Sequence, residues 1–175
     1  SWPKREVFAH EALVRSGEPT LAHPGALFDA AERIGGLHQI GRAIRAAVAR
    51  RAGDSLGLLF VNLHPHDLED DDLSSPTAPL SRVANRVILE ITERASLDAV
   101  RDVGARIAAL RNLGFQIALD DLGAGYAGLT SFTLLRPDFV KLDMSLVRGI
   151  VSDVTKQRVV GTMTTLCKDL GMLGV

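Results

Sequence analysis

The chain has a single cysteine, Cys167, in 175 residues. That excludes an internal disulfide framework and fits a reducing compartment such as the cytoplasm. Aromatic residues make up only 5%, so Leu, Ile, Val and Ala must fill the core. An excess of one charge is also missing, because 20 Lys+Arg stand against 21 Asp+Glu. Holding a DNA or RNA polymer by bulk electrostatics needs a basic face, and this balance argues against one. The longest apolar run, about Leu56 to Val61, is far too short to span a bilayer. The opening residues show no basic n-region followed by an apolar h-region, so no secretory signal is expected. What is present is 46% hydrophobic and 23% charged. This is the composition of one globular domain, residues 1–175, able to bury a full core.

Short apolar runs alternate with helical stretches. The runs are about Val7 to His10, Leu56 to Asn62, Arg86 to Thr92, Phe115 to Asp120, Phe139 to Asp143 and Met172 to Val175. Runs such as VILEI and FQIAL are nearly continuous in apolar character, which suits strands buried on both faces of a parallel sheet. Leu37, Ile40, Ile44 and Val48 lie on one helical face. Leu27 and Ile34 extend that stripe, and Gly35-Gly36 splits it into two helices. A second helical stretch is predicted from Leu97 to Leu113, with Val100, Val103, Ile107 and Leu110 inward and Gly114 as its stop. A third is predicted from Thr155 to Leu170, with Val159, Met163 and Leu166 inward and Gly171 as its stop. This alternation predicts βαβ crossovers and an α/β fold.

Polar residues collect at the downstream ends of the apolar runs. Glu11 follows VFAH, Asn62 ends LLFV, and Glu90 and Glu93 close VILEITE. Asp120 and Asp121 end FQIAL, and Lys141 and Asp143 lie in FVKLD. Asn62, Glu90 and Asp120 recur roughly 30 residues apart, one βα unit each. Each therefore falls at the carboxyl end of a strand, where barrels and open α/β sheets build their sites. Adjacent carboxylates at an apolar strand end stay ionised cheaply only beside a cation or hydrogen-bond donors. Glu11, Asn62, Glu90 and Asp120 offer hard oxygen ligands without cysteine, a set that prefers Mg²⁺ or Mn²⁺, with Ca²⁺ able to compete. Lys141 could orient a water, neutralise a phosphate or act in proton transfer.

Other features read as structural. The acidic segment Asp67 to Ser75 is expected to be a solvated loop or a helix start rather than a cation site. His64 and His66 are expected on loop surface, His10 facing away from the site, and Cys167 in or near the core. Taken alone, Glu93, Asp98 and Asp143 are as readily turn formers or caps. Glycines at 123, 125 and 128 suggest either a loop over the site or a tight βα turn.

Glu11-Ala12-Leu13-Val14-Arg15 resembles the signature of the EAL domain, the family of bacterial cyclic di-GMP phosphodiesterases. Asn62-Leu63-His64-Pro65 is similar to its NLSP segment, with His64 in place of Ser. Glu90-Ile91-Thr92-Glu93 resembles its ELTE segment. Asp120 to Tyr126 resembles the DDFG(T/A)GY loop, with Leu122 in place of Phe, and Lys141-Leu142-Asp143 resembles its KID strand. The resemblance implies a modified (β/α)₈ TIM-type barrel with one antiparallel strand. It implies metal ligation by Glu11, Asn62, Glu90 and Asp120, with Asp121 on a second ion. It further implies that Lys141 holds or activates the attacking water and that Glu93 anchors the 121–128 loop, which bears on dimerisation. Arg15 would pair with a substrate phosphate, and Leu13 would line a guanine pocket. The implied reaction converts cyclic di-GMP to linear pGpG, in a homodimer or beside a covalently linked sensor domain. Residues 1–6 show no counterpart of the family's first strand. The sequence stops where an AEGVE-type strand end and the eighth strand should follow. Residues 1–175 alone are therefore expected to be inactive and to self-associate or be stabilised by another chain. Two other readings are a non-catalytic cyclic di-GMP receptor or interaction module, and a barrel of the enolase type with a Lys base.

Overall fold

The computed structural model describes residues 6–54, 57–93, 97, 100–124 and 128–174. The first strand, β1 (Ala9–Ala12), leads through α1 (Pro24–Arg33) and α2 (Leu37–Arg51) to β2 (Leu58–Asn62). Only 3₁₀ turns, at Pro65–Glu69 and Leu80–Arg86, connect β2 to β3 (Val87–Thr92). Then come α3 (Val103–Asn112), β4 (Gln116–Leu122), α4 (Gly128–Leu135) and β5 (Phe139–Leu142). A short α5 (Met144–Val147) and a long α6 (Val154–Asp169) precede β6 (Leu173–Gly174). All neighbouring strands are parallel, and their order in the sheet is their order in the chain. The sheet curls into a half-barrel with helices outside.

The two-residue period of the strands sorts their side chains into two layers. Val61, Val87, Leu89, Ile91, Ile117, Leu119 and Val140 point outward into the main core, where Ile107, Leu110, Phe132, Leu135 and Cys167 cover them. Phe60, Ile88, Ala118 and Phe139 point inward and form a second cluster inside the curl. The rings of Phe60 and Phe139 meet edge to face at 5.7 Å. Strands loaded with apolar side chains on both faces explain the unbroken runs in the sequence.

Several boundaries differ from the sequence reading. The first strand lies two residues later, so Glu11 belongs to it rather than following it. The fourth runs on through Asp120 and Asp121. Helix α3 starts only at Val103, because Asp102 adopts a left-handed conformation that a helix cannot pass through. Leu97 and Val100 are nonetheless buried. Gly114 and Gly171 end α3 and α6 with positive φ of 103° and 72°, the backbone state that favours glycine. Ile34 is 82% exposed, because α1 has already ended and the chain turns away there. Val159 is also exposed, since α6 turns Met163, Leu166 and Cys167 toward the sheet instead. The sequence pattern does not announce α4.

The acidic segment is the largest departure. Asp67 and Asp70 are buried, not solvated. Arg45 of α2 reaches Asp67 Oδ1 at 2.8 Å and also contacts Asp70, and Arg42 grips Asp70 through Nε and Nη2. Asp67 Oδ2 in turn accepts a hydrogen bond from His64 N at 3.2 Å. This ionic clasp does the work of the missing crossover helix. It ties the chain leaving β2 to α2. Gly41 permits the close approach, because a Cβ there would lie 2.1 Å from Asp67 Oδ1. His64 and His66 are half-buried, with His64 stacked on Phe28 at 5.8 Å and on His66 at 5.4 Å. His38, Asp67 and Asp70 bring a nitrogen and two oxygens within 4.8 Å of one another, but the two guanidinium groups already neutralise these carboxylates.

Burial alone would raise the Asp70 carboxyl, but Arg42, the Asp72 amide and Arg45 overcome it and pull the group down to about 2. A folded pKa below the unfolded 3.8 gives stability that is present above the unfolded value and lost as pH falls through 2. Arg45→Met leaves buried Asp67 without its guanidinium partner and Asp70 with Arg42 alone. It is expected to lower the unfolding free energy by about 3–5 kcal/mol in urea titrations. Asp70→Asn should flatten the acid limb of the stability profile.

Candidate active site

The inward face of the sheet changes character along the strands. Its lower layer is the apolar cluster of Phe60, Ile88, Ala118 and Phe139. Two residues further on, alternation brings Asn62, Glu90, Asp120 and Lys141 onto the same face, with Glu11 of β1 beside them. The register sets Asn62 opposite Glu90, and Thr92 opposite Asp120. The carboxyl ends of five strands therefore converge on one polar layer.

Glu90 sits at its centre and is fully buried. Lys141 Nζ lies 2.7 Å from Glu90 Oε1, 3.4 Å from Asp120 Oδ1 and 3.9 Å from Glu11 Oε2. Asn62 Nδ2 donates to Glu11 Oε1 at 3.1 Å. The Glu90–Lys141 contact is an ion pair at hydrogen-bonding distance. Among the described residues no other group donates to either Glu90 oxygen. Burial pushes the Glu90 carboxyl up to about 7. Lys141 opposes the shift, and Asp120 and Glu11 add to it. Lys141 loses hydration too, but Glu90, Asp120 and Glu11 hold its ammonium above the usual lysine value.

Three carboxylates share one ammonium, and the most buried of them has no other donor among the described residues. Glu11, Glu90 and Asp120, with the amide of Asn62, form an all-oxygen donor set with excess negative charge. That arrangement fits a hard divalent cation.

Next to this layer, β4 is irregular. The pairing with β5 shifts between Leu119 and Leu122, and Asp121 has φ of 56°. Strict alternation would send Asp120 and Asp121 to opposite faces, and the irregularity relaxes that constraint. The Asp121 amide donates to Asp120 Oδ1 at 2.9 Å. Glu93, also buried, accepts from Gly123 N through Oε2 at 2.5 Å, and its own amide donates to Asp120 O at 2.9 Å. At Gly123 (φ 103°) an added Cβ would lie 2.4 Å from Leu146 Cδ1. Gly125, Tyr126 and Asp98 lie outside the described residues. Asp143 caps α5 by accepting from Ser145 N at 2.7 Å.

Leu13 and Arg15 stand apart from the carboxylates. Leu13 is exposed, and Arg15 Nη1 donates to Val14 O at 2.8 Å. Both line a groove of about 550 Å³ beside β1, with Ile44, Val48 and Arg51 of α2 opposite. Among the described residues no hydrogen bond or ion pair joins them to the cluster. Sequence reading missed Phe60, whose ring centroid lies 5.6 Å from Lys141 Nζ. The signal was available, because Phe60 precedes Asn62 by one strand period. Asp138 was also missed; it fixes β4 by accepting from Ile117 N at 2.8 Å and from Arg111 at 3.2 Å.

A carboxyl whose folded pKa lies above its unfolded value binds extra protons in the native state, so ionising it costs stability. In metal-free protein this cost grows as pH rises from 4.5 toward 7. Glu90→Gln is therefore expected to gain on the native protein by about 3 kcal/mol between pH 5 and pH 8. Urea unfolding in EDTA measures the difference.

The EAL domain family model matches residues 3–175. Among curated proteins, PdeG, a probable cyclic di-GMP phosphodiesterase of Escherichia coli, is 29% identical over 93% of this chain and 34% of its own length. BlrP1 of Klebsiella pneumoniae, solved as a manganese/cyclic di-GMP complex, is 32% identical with a TM-score of 0.81. That match covers 98% of this chain and 45% of that one. A standalone EAL protein of Vibrio cholerae, solved with cyclic di-GMP bound, is 26% identical with a TM-score of 0.74, over 98% and 74% of the two chains. The chain spans less than half the length of the curated relatives it matches, 22% to 42% in three of them. The match of the family model over nearly the whole chain, on a curled parallel sheet with carboxylates at its strand ends, shows that the chain belongs to the EAL domain family.

Proposed function

We propose that this domain hydrolyses cyclic di-GMP to linear pGpG with Mg²⁺ or Mn²⁺. The observation that carries the reading is the fully buried carboxylate of Glu90, with Lys141 as its one donor among the described residues, at the centre of an all-oxygen cluster. The likeness to an EAL structure holding manganese and cyclic di-GMP supports it.

Glu11, Asn62, Glu90 and Asp120 would hold the first ion, and Asp121 a second. When bound, such ions supply positive charge to the attacking and leaving oxygens of an in-line displacement. The chain's own groups do the positioning. Lys141 holds the attacking water by donating from Nζ. The water oxygen bonds to phosphorus, and the bond from phosphorus to the 3′ oxygen breaks. The water loses a proton and the 3′ oxygen gains one, leaving the linear dinucleotide. Glu93 fixes the start of the 121–128 loop through Gly123 N, which keeps Asp121 and Asp120 in place. Arg15 pairs with a substrate phosphate, and Leu13 packs against a guanine.

BlrP1 has also been solved as a calcium/cyclic di-GMP complex, and here we read calcium as a competitor that slows turnover. Met144, Val147, Val151 and Val154 are exposed, and the first two flank Leu146, which packs over Gly123. They support a homodimer or contact with a linked sensor domain. The unpaired thiol of Cys167 suits the cytoplasm, where a soluble second messenger is met.

The test uses the protein as it is made in the cell. Chromatography should show cyclic di-GMP converted to pGpG in Mn²⁺, with EDTA abolishing the reaction. Glu11→Ala and Asp120→Asn should each lose about 100-fold or more. Undiminished turnover in both variants would refute the reading, and binding without hydrolysis would favour a receptor.

A further inference from the structure

We infer that Lys141 is also the resident counter-cation of the carboxylate cluster, and that a divalent ion must displace its ammonium to enter. The inference rests on reading the cluster as a divalent-cation site. Its basis is positional. Nζ lies within 4 Å of carboxylate oxygens from three strands, Glu11 of β1, Glu90 of β3 and Asp120 of β4. These are three of the four groups that would ligate the ion. The ammonium and the ion therefore seek the same oxygen lone pairs.

They cannot share them at contact distance. An ammonium and a divalent ion in direct contact with the same oxygens repel strongly, most of all beside a fully buried group such as Glu90, whereas an intervening water lets both stay in the site. With no ion present the reverse problem arises, because three converging carboxylates need a positive charge. Lys141 supplies it, with the Phe60 ring 5.6 Å away on the apolar side.

Lysine suits a charge that must yield. Its ammonium is a point charge on a flexible stem and imposes no ligand geometry. The Lys141 side chain is 23% exposed, which leaves room for Nζ to withdraw from direct contact with the carboxylates while still reaching a water on the ion. Arginine would grip the carboxylates with a planar, bidentate fork and would be harder to displace. The order of Mn²⁺ affinity follows: tightest with an uncharged residue at 141, intermediate with lysine, weakest with arginine.

The experiment is calorimetric titration of Mn²⁺ into purified native protein, Lys141→Met and Lys141→Arg, without nucleotide. Lys141→Met should bind at least ~10-fold tighter than the native protein, and Lys141→Arg should bind more weakly. In EDTA, Lys141→Met should melt at a lower temperature than the native protein and recover on adding Mn²⁺. A second measurement needs no variant. Saturating Mn²⁺ should speed acetylation of Lys141 severalfold relative to exposed Lys168, read by mass spectrometry. Equal or weaker Mn²⁺ binding by Lys141→Met overturns the inference, and so does acetylation of Lys141 that is unchanged or slowed by Mn²⁺. If Lys141→Met does not fold even with Mn²⁺, the acetylation result decides. A native protein that binds Mn²⁺ and hydrolyses cyclic di-GMP without these contrasts sinks only the inference. If neither native protein nor Lys141→Met binds Mn²⁺, the metal-site reading fails as well.

Discussion

The arrangement depends on one costly placement, the carboxylate of Glu90 in the interior of a curled sheet. Everything around it answers that cost. Below it, Phe60, Ile88, Ala118 and Phe139 keep water out, which makes the charge expensive. Beside it, Lys141 supplies the nearest positive charge. Asn62 takes the strand position opposite Glu90 and turns its amide to Glu11. Three carboxylates are thus left to one ammonium. The sparse hydrogen bonding of Glu90 is the local cost of that placement.

The outer face of the sheet is what makes the inner face tolerable. Val87, Leu89, Ile91, Ile117 and Leu119 are buried under helices, so β3 and β4 are fixed by ordinary apolar packing. The same two strands carry Glu90 and Asp120 inward. Frustration on one face is balanced by close packing on the other, one residue apart in the chain. The clasp of Arg42, Arg45, Asp67 and Asp70 extends this support to the segment after Asn62. There a run of 3₁₀ turns stands where the other crossovers use helices.

Much of this was legible in the sequence, because two simple periods carry it. VILEI and FQIAL read as buried strands, and the step from Phe60 to Asn62, or from Ile88 to Glu90, follows from alternation alone. The convergence of Glu11, Asn62, Glu90, Asp120 and Lys141 followed from their common place at strand ends. What stayed hidden depends on partners distant in the chain. The acidic run at 67–72 looks solvated until Arg42 and Arg45 are seen across from it. The left-handed Asp102, which delays α3, is a backbone choice without a side-chain signature. Ile34 and Val159 belong to helical stripes by spacing, yet the helix ends before one and turns the other outward.

Strand order equal to chain order has a consequence for how the site is born. A ribosome delivers the chain from its amino end, so Glu11, Asn62, Glu90 and Asp120 emerge before Lys141. The sheet can grow one strand at a time in that same order. The acidic residues of three strands are thus made before their own positive charge has been synthesised. The pairing of β5 with β4 then brings Lys141 to Glu11, Glu90 and Asp120 together with the apolar Phe139 and Val140.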